Sequence, residues 1–220
     1  MKIFQSSILL LHVLLLSSCA TVYVSEYSKA PGFNIADQRS KSTTVTGFEP
    51  VIVKEFVKTF SKRFTKNQEF STEYANKFNN KLKSSTIFAT VMYDPAVEWR
   101  LTRSGSFASS ELKAIDSLFS SCKTDYLITV TDFEVSNRIT TTHSGGAGPN
   151  NMGTTTSTEY CVIDARFTVF EVKSRKKMLE FTSRGEQSVF LFSYENALLK
   201  AMDNSIEHAM AYLTTGKKEF

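Results

Sequence analysis

The clearest signal along this chain is an alternation. Between residues 159 and 173, Cys161, Ile163, Ala165, Phe167 and Val169 share one parity, and Tyr160, Val162, Asp164, Arg166, Thr168 and Phe170 the other. A period of two places the first set on one face of a β-strand. Residues 125–135 (Asp-Tyr-Leu-Ile-Thr-Val-Thr-Asp-Phe-Glu-Val) read as a second strand. Residues 177–185 read as a third, after a basic turn, and 189–192 as its continuation. The first two flank a Gly-, Thr-, Ser- and Asn-rich segment, residues 136–158, which predicts a long antiparallel hairpin around a flexible loop.

Helical spacing appears three times. Tyr74, Phe78 and Leu82 recur every fourth residue with Ala75 beside them, which predicts a helix over 71–84 with Ser71 as its N-cap. Leu112, Ile115, Phe119 and Cys122 predict one over 111–121. Leu198, Met202, Ile206, Ala209 and Leu213 predict a last one over 194–213, capped by Ser193 and stopped by Gly216, with a frayed charged tail. Residues 49–60 carry the apolar, β-branched run Val51, Ile52, Val53, Phe56, Val57 and Phe60, and 87–93 end at Asp94-Pro95. Both read as strands, so 49–93 reads as a βαβ unit. The expected fold class is α/β (α+β): a mixed sheet from a βαβ unit plus a long antiparallel hairpin, helices packed on one face, and a C-terminal helix.

The amino terminus is of another kind. Met1-Lys2 precedes an apolar run from Ile8 to Leu16, too short to span a bilayer, for which roughly 20 residues are needed. It fits the apolar region of a secretory signal. It closes on Leu16-Ser17-Ser18-Cys19, which resembles the bacterial lipobox. That resemblance implies acylation at Cys19 and removal of residues 1–18; the plainer reading is an ordinary secretory signal beside a chance cysteine. Several acyl chains, at about 0.8 kcal/mol per buried methylene, anchor firmly. Ala20 and Thr21 follow, with no Asp, and the same resemblance then implies the outer membrane. Residues 19–45, rich in Ser, Thr and Lys, read as a lipidated tether with one short strand at 21–24. Such a tether reaches roughly 25–30 Å. Residues 46–216 then form a single periplasmic domain.

Composition narrows the chemistry. The 220 residues carry 26 Lys+Arg against 22 Asp+Glu, a net +4 with the basic residues scattered, so nucleic acid is not an expected partner. Eighteen phenylalanines read as core. Beyond Cys19 remain Cys122 and Cys161. The hairpin puts them at opposite ends, about 30 Å apart at roughly 3.3 Å per residue, whereas a disulfide needs Cα atoms within about 7 Å. Two free thiols are expected. Past the signal only His143 and His208 remain, and the chain has no H-E-x-x-H, C-x-x-C or G-x-S-x-G. Neither an enzyme, a metal site nor a cofactor is expected. Asp125, Asp132 and Asp164 sit where strand carboxylates can face a cleft.

The order of elements, with Lys123-Thr124-Asp125-Tyr126-Leu127-Ile128 closing a helix, resembles an α/β module of envelope proteins. These are related to the curli-secretion lipoprotein CsgG, the penicillin-binding-protein activator LpoB and the amino-terminal domain of TolB. Lys-Thr stands where Gly-Ala is usual, and Glu171-Val-Lys-Ser-Arg-Lys replaces an Asp-x-x-Thr-Gly-like turn. Address and resemblance together imply a non-catalytic assembly or regulatory lipoprotein bound to envelope proteins. His143, Asn150, Asn151 and Met152, in the polar loop, are the candidate partner contacts. A small-ligand or lipid carrier serving a transporter is the alternative. A ring-forming channel is disfavoured, because residues 139–158 are too polar for a barrel hairpin.

Overall fold

A computed structural model describes residues 21–46, 51–94, 119–144 and 154–220. Seven strands form one mixed sheet: β1 (Val24–Lys29), β2 (Ser42–Thr46), β3 (Val51–Val53), β4 (Thr90–Tyr93), β5 (Tyr126–Ser144), β6 (Thr154–Glu171) and β7 (Lys176–Ser188). Three α-helices are described: α1 (Val57–Arg63), α2 (Asn67–Ser84) and α3 (Tyr194–Thr215). The strand order is β1-β7-β6-β5-β2-β4, with β3 also on β5. β5, β6, β7 and β1 pair antiparallel; β2 is parallel to both β4 and β5, and β3 is parallel to β5. The fold class is therefore the one the periodicity predicts.

The helices cover one face. The parity of β6 holds: Cys161, Ile163, Ala165, Phe167 and Val169 are all fully buried. Aromatic rings run across the interface. Tyr74 of α2 meets Phe133 edge-on at 4.8 Å, Phe78 meets Phe167 at 5.0 Å, Phe167 stacks on Phe181 at 4.9 Å, and Phe181 meets Tyr212 of α3 at 4.7 Å. The Leu198-to-Leu213 stripe is buried as its spacing requires, and Gly216 ends the helix at φ +74°. α3 crosses β7 at Gly185, where a Cβ would lie 2.0 Å from the Ala201 carbonyl oxygen and 2.2 Å from the Ser205 nitrogen.

Several expectations need correction. Residues 24–46 are not a tether: β1 edges the sheet and β2 lies inside it, between β4 and β5. Ser42-Thr-Thr-Val-Thr is polar in composition, yet Thr43 and Val45 are fully buried, so partner strands override the weak local signal. The parallel pair joined by helices is β2–β4, not 49–60 with 87–93. The run 49–60 breaks after β3: Phe56 takes a left-handed φ of +59° and starts α1. Ser71 lies inside α2, where its hydroxyl donates to the Asn67 carbonyl (2.9 Å). The carboxy-terminal tail is tied down, since Val22 bridges to Glu219 and the Phe220 amide donates to the Thr21 carbonyl (3.2 Å).

The hairpin is longer than predicted. Its ladder continues to Ser144 opposite Thr154, so much of the polar segment is paired strand. Thr-on-Thr rungs supply backbone hydrogen bonds without apolar burial. Cys161 lies opposite Asn137 while Cys122 lies beyond the Tyr126–Glu171 rung, and both thiols are free. Cys122 packs with Phe119, Leu127 and Phe170; the rest of the helix expected over 111–121 lies outside the described residues, as do residues 1–18 and Cys19.

Candidate functional site

The second face of the sheet is apolar where Phe119 packs on Leu127 and Phe170, and charged from there toward β1. A bulge in β5 helps to build it. Ile128 and Val130 face the core on even parity, Phe133 and Val135 on odd. The register shifts between Thr131 and Glu134, and Asp132 sits there at φ +51°. Asp tolerates this conformation. The extra residue restores the core parity and leaves Asp132 on the second face.

Charges then alternate across β5, β6 and β7. Arg184 of β7 holds Asp164 of β6 through two parallel bonds, both 2.9 Å, between directly opposed residues. Hydrogen bonds to Asp164 hold the guanidinium above its ordinary pKa, against partial burial. Arg166 reaches both ways: its Nε donates to Glu180 (2.7 Å) and its Nη1 to Asp132 (3.4 Å). Lys177 also binds Glu180. Burial opposes ionisation of Glu180, but the Lys177 and Arg166 hydrogen bonds outweigh it and leave the carboxyl below its ordinary value. Glu134 and Asp164, two acids, are direct neighbours in the ladder; Lys54 binds the first at 2.6 Å and Arg184 the second. Opposite charge in the cross-strand positions removes what would otherwise be a repulsive pair. Arg138 closes the pattern, bound to Glu186 through 3.1 and 3.2 Å contacts and lying 4.3 Å over the Tyr160 ring.

The edge strand gives this face a wall. Tyr27 of β1 lies under Arg166, 5.2 Å from guanidinium carbon to ring centre, and accepts a hydrogen bond from Thr182 (3.2 Å). Between the wall and the floor is a groove of about 300 Å³, lined by Ser25, Tyr27, Asp132, Asp164, Arg166 and Arg184, among others. That is at the small end for a ligand site, and it is polar where such sites are mostly apolar. Its geometry suits a polar, charge-bearing surface. Among the described residues no group of three His, Cys, Asp or Glu side chains is placed to hold a metal ion.

The residues singled out in the sequence divide. Asp132 and Asp164 meet in this groove. Asp125 does not: it accepts from the Ser42 amide and hydroxyl (2.8 and 2.9 Å), which lowers its carboxyl pKa, at the start of β5. His143, near the end of β5, contacts the Thr155 hydroxyl at 2.9 Å. Its companions Asn150, Asn151 and Met152 lie outside the described residues. His208 contacts the Arg184 carbonyl (2.6 Å) and stacks between Tyr23 and Phe220, a packing role. Arg166, Arg184, Glu180 and Tyr27 were not among the candidate residues. The signal was present for β6 and β7, whose outward parity reads Asp164, Arg166 and Glu180, Thr182, Arg184, Glu186.

No family model matches the chain, and no curated protein does. Solved structures similar to it include three from bacteria. One is a PelC dodecamer of Paraburkholderia phytofirmans (12% identity, TM-score 0.41, 84% of this chain and 98% of that one). Another is a neuraminyllactose-binding hemagglutinin homologue of Helicobacter pylori (10%, 0.39, 86% and 90%). The third is a lipoprotein of Neisseria meningitidis (11%, 0.35, 76% and 98%). None of these likenesses carries a function to this chain. The finer resemblance to the CsgG, LpoB and TolB module rests on its sequence motifs alone.

Proposed function

We propose that the chain is a lipid-anchored protein of the bacterial cell envelope, held through Cys19 at the outer membrane, and that it works without catalysis. In this reading the charged second face of the sheet receives a protein partner. The observation that carries it is the groove against β1, where Arg166 and Arg184 are fixed by Asp132, Glu180 and Asp164. A lattice of fixed opposite charges gives orientation and selectivity to a polar partner more than raw affinity. The ion pairs also spare the side-chain ordering that binding would otherwise cost.

A carrier of a small polar ligand is the second reading, favoured by the same groove's concavity. Its charged lining does not suit an acyl chain. Crosslinking in intact cells separates the two. A photoreactive residue at Ser25, on the groove wall, is expected to capture a discrete partner in wild type. The capture should fall with Arg184→Ala and with Cys19→Ala. Equal capture from Asn80, on the outside of α2, would defeat the assignment of this face. No protein capture, with a small molecule retained in native mass spectrometry, would favour the carrier.

A further inference from the structure

Among the described residues, the three most exposed large apolar side chains stand together at one end of the domain. Phe190, Leu191 and Phe192, in the turn between β7 and α3, are 73%, 77% and 85% exposed. The sequence predicts strand here; the chain instead makes a fixed turn. Leu191 and Phe192 have left-handed φ values of 46° and 61°. The Ser193 and Tyr194 amides donate to the Phe190 and Phe192 carbonyls at 3.0 and 2.9 Å. Backbone strain of this kind persists only where surrounding structure imposes it, and it gathers at functional sites. Ile139, also exposed, is at the same level, since it faces Glu159, whose carbonyl accepts the Val189 amide.

The ladder shows which way this end points. β1 runs antiparallel to β7 with Val24 opposite Ser183. Followed backward from Val24, the chain therefore climbs toward the same end as residues 190–192. It is held at Val22 by Glu219 and at Thr21 by Phe220, and Cys19 is two residues further on. Two extended residues span about 7 Å. An acylated Cys19 thus brings a bilayer to this end of the sheet, with no tether to hold the domain away.

We propose that this end rests on the lipid bilayer and that Phe190, Leu191 and Phe192 insert into its interfacial layer. The proposal rests on the reading of Cys19 as lipidated. Anchoring makes the second contact intramolecular, so three apolar side chains suffice where they would not hold a free protein. The hairpin ribbon extends further on the same side, but residues 140–144 and 154–158 are threonine, serine and His143. They suit hydrated headgroups and not hydrocarbon, so the sheet lies tilted, with the ribbon along the headgroups and the turn toward the acyl layer.

The test uses the full chain purified from membranes, with Trp99→Phe and Phe192→Trp, in phosphatidylethanolamine–phosphatidylglycerol vesicles with and without brominated acyl chains. Bromine is expected to lower the emission of the introduced Trp about twofold or more, as for an interfacially buried residue. Tyr27→Trp, away from this end, should be unaffected. Phe190→Trp serves if the first variant does not fold. An unquenched probe on a chain whose mass shows Cys19 acylation overturns the proposal and leaves the anchor standing. Quenching on a chain whose Cys19 carries no lipid supports the membrane contact and refutes the anchor. Absence of both overturns both. A probe shielded in a soluble oligomer and unquenched in vesicles assigns the turn to a second copy and also overturns the proposal.

Discussion

Ser183 of β7 and Ser205 of α3 exchange hydrogen bonds. The Ser183 hydroxyl donates to the Ser205 carbonyl at 2.7 Å, and the Ser205 hydroxyl donates to the Ser183 carbonyl at 3.2 Å. This double bond pattern requires the helix backbone to approach the strand backbone, and Gly185 makes that approach possible. Gly185→Ala would drive a methyl into the Ala201 carbonyl and the Ser205 amide, backbone atoms that no rotamer change can move. The expected loss is about 3 kcal/mol of folding stability, measured by urea unfolding. A loss below about 0.5 kcal/mol, the range of neutral surface changes, would mean that α3 does not cross β7 here.

The same junction extends to α2. The single hydroxyl hydrogen of Ser205 is used on Ser183, so the Tyr74 hydroxyl must donate to Ser205 Oγ across 3.0 Å. Tyr74 is fully buried and its phenol is raised above its ordinary pKa, first by burial. Tyr74→Phe removes one donor and should cost about 1 kcal/mol. Ser205→Ala strands the phenol and should cost about 2 kcal/mol. Because the two share one bond, the double variant should cost less than the sum in a thermodynamic cycle. Additive costs would mean that the Tyr74 and Ser205 hydroxyls share no bond.

How much of this was legible follows from where the local signal and the tertiary demand agree. β6 and α3 each bury one face against a continuous partner, so parity and the four-residue step in Leu198, Met202 and Ile206 were readable. β2 was not, because its threonines are buried by strands distant in sequence, Thr43 lying between Val91 of β4 and Tyr126 of β5. Phe56, Phe60 and Phe64 held a helical step that the β-branched Val51-Ile52-Val53 masked. The charged groove needs the register of four strands and a bulge at Asp132, which no local pattern states.

The two thiols give a direct check of the hairpin register. Burial pushes the Cys161 thiol up to about 12, so almost no thiolate exists at neutral pH. Cys122 is half-buried at the other end of the hairpin. In a Cys19→Ala chain, a thiol reagent should leave Cys161 untouched in the native protein and label both cysteines after denaturation without reductant. Native labelling of Cys161 at the rate of an exposed thiol would contradict its place in the core. Absence of labelling after denaturation would reveal a disulfide that this register forbids.

Acid should loosen the charged face in a way that Glu180 controls. Its carboxyl pKa is lowered in the folded protein, because the Lys177 and Arg166 hydrogen bonds exceed the cost of burial. The unfolded chain has no such partners and binds its proton at the ordinary value near 4.5. As pH falls, the unfolded state therefore takes up the proton first. The contribution of Glu180 is complete above that ordinary value and is lost as pH drops through the lower folded-state one. Glu26, lowered chiefly by the Tyr212 hydroxyl, adds a slope of the same sign. Unfolding midpoints of wild type and Glu180→Gln, measured from about pH 7 to about pH 3, isolate the term. At neutral pH the variant should be less stable, since Arg166 and Lys177 both lose a full charge partner. The gap should close on acidification, because protonation makes wild-type Glu180 as neutral as glutamine. A gap that stays constant across this range would mean that Glu180 contributes packing and not charge, and would remove the electrostatic basis of the groove.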